Sequence, residues 1–197
     1  MKILFLTNNL RVSNSLYHWL VANGENIQHY HHPINADFII GNDIEFVISY
    51  NYSHIVRRDV IELLPHRIIN LHISLLPYNR GADPNIWSFI ERTPIGVTIH
   101  EIDEGLDTGD VLLQHSTYFD IREETLRSSY DKLHRLIQVL FRDNWDTLKH
   151  LKAIPKKQNV GGTVHYKDDS KYFSHILDYD DTVFDFLKKV EFLTHKE

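Results

Sequence analysis

Between Ile68 and Asp110 the chain gathers an amide, an imidazole and several carboxylates. The apolar run from Ile68 to Ile73 predicts a strand, which puts Asn70 and His72 at i and i+2 on the same face. Leu71 and Ile73 then turn toward the packed side, and Pro77 ends the strand after Ser74-Leu75-Leu76. The second half of the stretch is an acidic turn, Asp103-Glu104-Gly105-Leu106-Asp107-Thr108-Gly109-Asp110. A side-chain amide can stabilise an oxyanion, and an imidazole can accept a proton near neutral pH. A carboxylate can hold that imidazole and its charge. Each half alone has a blander explanation. An isolated Asn-x-His more often satisfies local backbone groups, and an acidic turn can be a solvated loop. The calcium-loop spacing is not matched. The two glycines permit left-handed backbone and close approach. Leu106, alone among charges, predicts a turn that tucks into the core, making Asp107 the acid expected to be semi-buried and shifted.

The elements that must position these groups alternate between strand and helix. Lys2–Thr7 predicts a buried parallel strand. Ser13 or Asn14 is a candidate cap for the helix carrying Leu16, Trp19, Leu20 and Val21, which stops at Gly24. Asn26–His32 predicts a second strand. Its His29-Tyr30-His31-His32 run could suggest a metal site, but adjacent strand residues face opposite ways. A polar edge strand is preferred. Asp43–Tyr50 is a further strand, ending in the polar aromatic loop Asn51-Tyr52-Ser53-His54, and Val56–Leu64 is a helix. Pro84 suits the first turn of a helix capped by Asp83, with Ile86, Trp87, Phe89 and Ile90 as its apolar face. Gly96–Ile102 and Asp110–Phe119 flank the acidic turn as strands, and Glu124–Leu151 is a long amphipathic helix. The expected fold is α/β: a doubly wound, Rossmann-like, mostly parallel sheet with helices on both faces. Residues 1–151 form the catalytic domain. Residues 152–197 form a C-terminal extension with a strand at Thr163–Tyr166 and a helix at Asp181–Leu193, expected to supply oligomer contacts.

Composition narrows the function. The chain has 197 residues, no cysteine and a formal charge of −6. That rules out disulfides and thiolate chemistry, and argues against a broad nucleic-acid surface. The apolar start is too short for a membrane span, so a cytoplasmic protein is expected. No G-x-G-x-x-G follows the first strand.

The motifs together resemble the folate-dependent formyltransferases. The likeness rests on Asn70-Leu71-His72-Ile73-Ser74-Leu75-Leu76-Pro77, then Arg80-Gly81, then Leu106-Asp107-Thr108-Gly109, and it covers most of residues 1–150. Thr7-Asn8-Asn9-Leu10 and Asn79–Phe89 are most similar to the sugar-nucleotide N-formyltransferases of bacterial polysaccharide synthesis. The resemblance implies 10-formyltetrahydrofolate as donor and an amino deoxysugar on a nucleoside diphosphate, often dTDP, as acceptor, with no metal. It implies Asn70 as oxyanion stabiliser, His72 as general base and Asp107 as the group that orients His72. It further implies folate contacts from His54, Ile55, Val56 and Asp103. Tyr50, Asn51, Tyr78, Arg80 and Trp87 are the expected acceptor contacts, with helix core as the other possibility for Trp87. A homodimer is expected. Two alternatives stay open: formylation of another amine, including that of a tRNA or a glycinamide ribonucleotide, and a non-catalytic folate or nucleotide binder.

Overall fold

The computed structural model describes residues 1–194. Its six-stranded sheet is formed by β1 (Lys2–Leu6), β2 (Asn26–Tyr30), β3 (Phe46–Tyr50), β4 (Ile68–His72), β6 (Ile95–Glu101) and β7 (Val111–Thr117), in the order β2-β1-β3-β4-β6-β7. The first four strands run parallel, whereas β6 pairs antiparallel with β4 and β7 with β6. The mostly parallel α/β architecture is therefore as the sequence predicts. β5 (Arg80–Gly81) and β8 (Val164–His165) form a separate two-stranded pair.

Strand alternation explains the two layers. Ile3, Phe5, Phe46, Ile48, Ile69 and Leu71 pack on one face with Leu16 and Leu20 of α1 (Leu10–Ala22) and Phe141 and Trp145 of α5 (Leu126–Lys149). Leu4, Leu6, Val47 and Ile68 pack on the other with Ile39 of α2 (Ala36–Gly41) and Val60 of α3 (Arg58–Leu63). Each fully buried aliphatic or aromatic side chain stabilises by roughly 2 kcal/mol, so the sheet is held from both sides. α4 (Pro84–Ile90) and α6 (Val183–Thr194) join the first layer through Ile86, Trp87, Val183, Phe186 and Val190. The extension expected to supply oligomer contacts thus packs against its own sheet domain; residues 195–197 lie outside the described residues.

Several local expectations change. α1 starts at Leu10, with Asn9 before it making no side-chain cap. Ser13 is an interior, fully buried residue whose hydroxyl bonds to Thr7 Oγ1 at 3.0 Å and donates to the Asn9 carbonyl at 2.8 Å. Asp83 precedes α4 but caps nothing with its side chain. α2, capped by the Asn35 side chain accepting from Phe38 N–H, is too short to leave a readable period. β2 is an edge strand, and His29 Nε2 lies 3.3 Å from the Thr7 carbonyl.

Candidate active site

Ile69 and Leu71 of β4, and Ile73 just beyond it, pack in the first layer, which leaves Asn70 and His72 together on the opposite side. Antiparallel pairing with β6 sets His100 directly across from Asn70, and opposed residues share a face. The turn after β6 then folds back. A Cβ at Gly109 would come within 1.9 Å of the Glu101 carbonyl, so only glycine allows this approach. Asp107 takes a left-handed conformation (φ 53°) and is aimed at the strand end.

Four side chains meet there. Asn70 Nδ2 donates to Asp107 Oδ1 at 3.1 Å and lies 3.2 Å from His100 Nε2. Asp107 Oδ2 accepts from the Gly81 backbone N–H at 2.8 Å and stands 3.6 Å from His72 Nδ1. His100 Nε2 is 3.4 Å from Asp107 Oδ1, and its Nδ1 donates to the Glu101 carbonyl at 2.7 Å. Burial alone would raise the Asp107 carboxyl. The His72 and His100 imidazoles and the Gly81 N–H outweigh it and hold the group well below the usual carboxylate range.

The geometry of His72 differs from a Ser-His-Asp arrangement. Its Nε2 is 2.9 Å from the Asn79 carbonyl. A carbonyl only accepts, so Nε2 carries the hydrogen and Nδ1 is the nitrogen with the lone pair in the neutral ring. Asn79 therefore orients the ring, while Asp107 sits beside the nitrogen that would gain charge. His100 escaped the sequence reading. Its only local signal is a histidine on a buried strand just ahead of the acidic turn, and its partner is set by strand register.

The other candidate residues divide. Tyr50, expected as an acceptor contact, is fully buried with its hydroxyl 2.6 Å from His134 Nδ1, and burial pushes its phenol up. Trp87 is helix core rather than an open stacking platform. It is 8% exposed, and the His165 ring stacks on it at 3.8 Å and 3°. Arg80 is partly exposed and donates Nε and Nη2 to Gln158 Oε1 at 3.0 and 2.7 Å. Asn51 is left-handed (φ 54°) at the end of β3, with Nδ2 buried and unpartnered. Tyr78 is half-buried, and its carbonyl accepts from Ser74 Oγ. Asp103 is exposed and braces the turn, its Oδ1 accepting from Thr108 Oγ1 at 2.6 Å and Gly105 N–H at 3.1 Å. Leu106 does not tuck into the core; it is 41% exposed and lies over Gly81.

His54 and Ile55 are exposed while Val56 anchors the loop after β3 in the second layer. Among the described residues, the backbone groups of 54–56 take no hydrogen bond, which leaves a bare donor–acceptor edge beside the unpartnered Asn51 amide. Two cavities of about 360 and 250 Å³ lie elsewhere, one beside Phe119 and Lys132, the other between Ile69 and Leu148.

Known proteins share the sequence and fold of this chain. Residues 24–142 match the family model described as formyl transferase. PseJ from Anoxybacillus kamchatkensis, solved with UDP-4,6-dideoxy-4-formamido-L-AltNAc and tetrahydrofolate, is 36% identical with a TM-score of 0.87; the superposition covers 95% of this chain and 97% of that one. A 4-N formyltransferase from Francisella tularensis shares the fold at a TM-score of 0.76 and 24% identity, over 91% of this chain and 81% of its own. A methionyl-tRNA formyltransferase from Solibacter usitatus is 41% identical over 95 residues, which is 48% of this chain but only 30% of that relative. With a family match across more than half of its length and a structural likeness across nearly all of it, the chain belongs to the formyl transferase family.

Proposed function

We propose that this protein transfers a formyl group from 10-formyltetrahydrofolate to the free amine of a nucleotide-linked amino sugar. The observation that carries the reading is the convergence of Asn70, His72 and Asp107 at one strand end, 3.1 to 3.6 Å apart through Asp107. The donor supplies an activated formyl carbon, held against the bare edge of residues 54–56 with Asp103 bracing the turn on the far side. The Asn70 amide stabilises the oxyanion that forms when the amine attacks that carbon. In the resting site its donors face Asp107 and His100, so one of these pairings is exchanged for the oxyanion. Nδ1 of His72 takes the amine proton, the fixed charge of Asp107 stabilises the resulting imidazolium, and collapse of the oxyanion breaks the bond from the formyl carbon to folate N10, which receives that proton as tetrahydrofolate leaves.

The acceptor reading draws on PseJ, which was solved with a UDP-linked 4-formamido sugar. A pyrimidine nucleoside diphosphate sugar with an amine at C4 is therefore the leading acceptor, with thymidine and uridine both candidates for the base. Arg80, beside its Gln158 contact, is the residue we assign to the diphosphate. A role in cell-surface polysaccharide synthesis in the cytoplasm follows from such a substrate. The likeness to methionyl-tRNA formyltransferases favours a second acceptor, but the chain's formal charge of −6 suits a tRNA poorly.

The test is direct. Purified protein with 10-formyltetrahydrofolate and a panel of UDP- and dTDP-linked 3- and 4-amino sugars, alongside methionyl-tRNA, should release tetrahydrofolate and form one formamido sugar detectable by mass spectrometry. Turnover of the tRNA alone would overturn the sugar reading, and no turnover with any amine would overturn the activity.

A further inference from the structure

We propose that residues 156–165 form a strap that sets the geometry of the His72–Asp107 pair, with Gln158 as the positioning residue for Asp107. The inference rests on the roles assigned to His72 and Asp107 above.

The strap is laid across both loops that make the site. Lys156 exchanges two backbone hydrogen bonds with Val111, at 2.7 and 2.9 Å, just past the acidic turn. Gln158 follows. Its Nε2 donates to the Asp107 carbonyl at 2.8 Å and the Gly109 carbonyl at 2.9 Å, and its Oε1 accepts from Arg80 Nε and Nη2. A glutamine amide has two N–H groups and two lone pairs, so every valence is used inside the protein. The same side chain thus ties the turn carrying Asp107 to Arg80, the neighbour of the Gly81 N–H that Asp107 accepts.

Further along, Thr163 reaches the other half of the pair. Its Oγ1 accepts from Asn79 N–H at 2.9 Å and donates to Asn79 Oδ1 at 3.1 Å, while its carbonyl accepts from Arg80 N–H at 3.0 Å. Asn79 is the residue whose carbonyl holds His72 Nε2. β8 then pairs with β5, and Ala82 N–H donates to the His165 carbonyl. Imidazole and carboxylate are thus positioned from one ten-residue segment by two separate contacts.

The strap adds backbone contacts to a turn otherwise held by its own side chains, Asp103 on Gly105 and Thr108, and Asp107 on Asn70 and Gly81. Residues 103–106 are exposed, and Asp107 and Asn79 both sit in the left-handed region, at φ 53° and 54°. Asp and Asn tolerate this conformation better than other non-glycine residues, and surrounding contacts hold it in place. Gln158 supplies one such contact at Asp107 and a second two residues on at Gly109, and Thr163 supplies two at Asn79.

Gln158→Glu and Gln158→Ala separate positioning from simple anchoring. The glutamate keeps acceptors for Arg80 but sets a carboxylate against the Asp107 and Gly109 carbonyls. Both variants are expected to keep the wild-type melt and donor affinity. Both should lose roughly 10- to 100-fold in kcat, the scale of a misplaced catalytic group, with a pH–rate profile displaced from wild type. KM for the acceptor should stay near wild type in Gln158→Glu. A wild-type kcat and profile in Gln158→Glu would overturn the proposal, because the Arg80 contact alone would then suffice. Should Gln158→Ala lose its cooperative melt, Gln158→Met, of similar length and volume, replaces it, and wild-type kcat there overturns the proposal equally. Long-range ¹H–¹⁵N spectra of the imidazoles read the site without turnover. The His72 signals, assigned by their loss in His72→Asn, should move in the Gln158 variants, and unmoved signals count against the strap. Inactive wild-type protein would count against the formyl transfer reading, whereas active wild type with unaffected Gln158 variants counts against the strap alone.

Discussion

Asp107 is a carboxylate almost shut off from water that nevertheless stays ionised, because two imidazoles and a backbone N–H surround it. Its depressed pKa contributes stability that is present above the unfolded carboxylate value near 4 and lost as pH falls through the folded one. Across the neutral range its charge is constant. Any acid limb in the rate profile above about pH 5 therefore belongs to a group other than Asp107. Asp107→Asn keeps the shape and removes the charge beside His72 Nδ1. It should lower kcat by about 10²–10³-fold, the scale of losing one group that stabilises developing charge, and a variant within threefold of wild type would remove Asp107 from the chemistry. His72→Asn should abolish turnover while donor affinity, read by calorimetry, stays within a few-fold. His100 is 1% exposed, and its Nε2 accepts from the donor side of the Asn70 amide. His100→Phe conserves bulk but frees that amide, so kcat should fall by about tenfold or more with the melting temperature changed far less than the rate.

At the scale of elements, the site depends on close backbone approaches. Gly81 sits at φ 87°, and a Cβ there would lie 2.2 Å from the His165 carbonyl. Alanine at this position is strained by its backbone angle and collides with the β8 chain. Gly81→Ala should therefore separate β5 from β8, destabilise the protein by roughly 1–3 kcal/mol, and reduce kcat because the Gly81 N–H leaves Asp107. Denaturant melts with parallel assays would show both effects. Full activity with an unchanged midpoint would show that the β5–β8 pair is dispensable. β4 and β6 matter in a different way. Their antiparallel pairing, Asn70 with His100 and His72 with Thr98, decides which side chains share the reacting face.

On the scale of the whole molecule, the long α5 helix seals the sheet and brings His134 against Tyr50 at the centre of the first layer. Burial, helped by Arg11, lowers the His134 pKa from 6.5 to about 3. The unfolded chain binds this proton between those values and the folded chain does not. Stability from the neutral ring is thus fully present above about pH 6.5 and declines as pH falls toward 3, by an amount on the order of a few kcal/mol. Melting temperature should accordingly drop between pH 6.5 and 4. His134→Gln retains a partner for the Tyr50 hydroxyl without the titration, so its melting temperature should depend less on pH in that window. An equal slope in both proteins would assign the acid lability to other groups. Among the described residues no helix is long and apolar enough to cross a membrane.

What the sequence by itself determined is local or specific to a motif. The two-residue period of a strand put Asn70 and His72 on one face, glycine marked the turns of close approach, and the paired motifs pointed to a formyltransferase fold. The strand–helix order was likewise legible, because hydrophobic periodicity records which face of an element is buried. What only the tertiary structure decided depends on residues far apart in the chain. Antiparallel register brought His100 to Asn70, and the turn at Asn79 supplied the carbonyl that orients His72. Tyr50 and Trp87 could have faced a ligand by their positions alone, but α5 and the His165 ring cover them. Gln158 lay in what read as a polar turn, since a hydrogen bond spanning 51 residues leaves no mark on local pattern. Periodicity encodes burial, whereas the partners of a buried polar group are fixed only when the layers close.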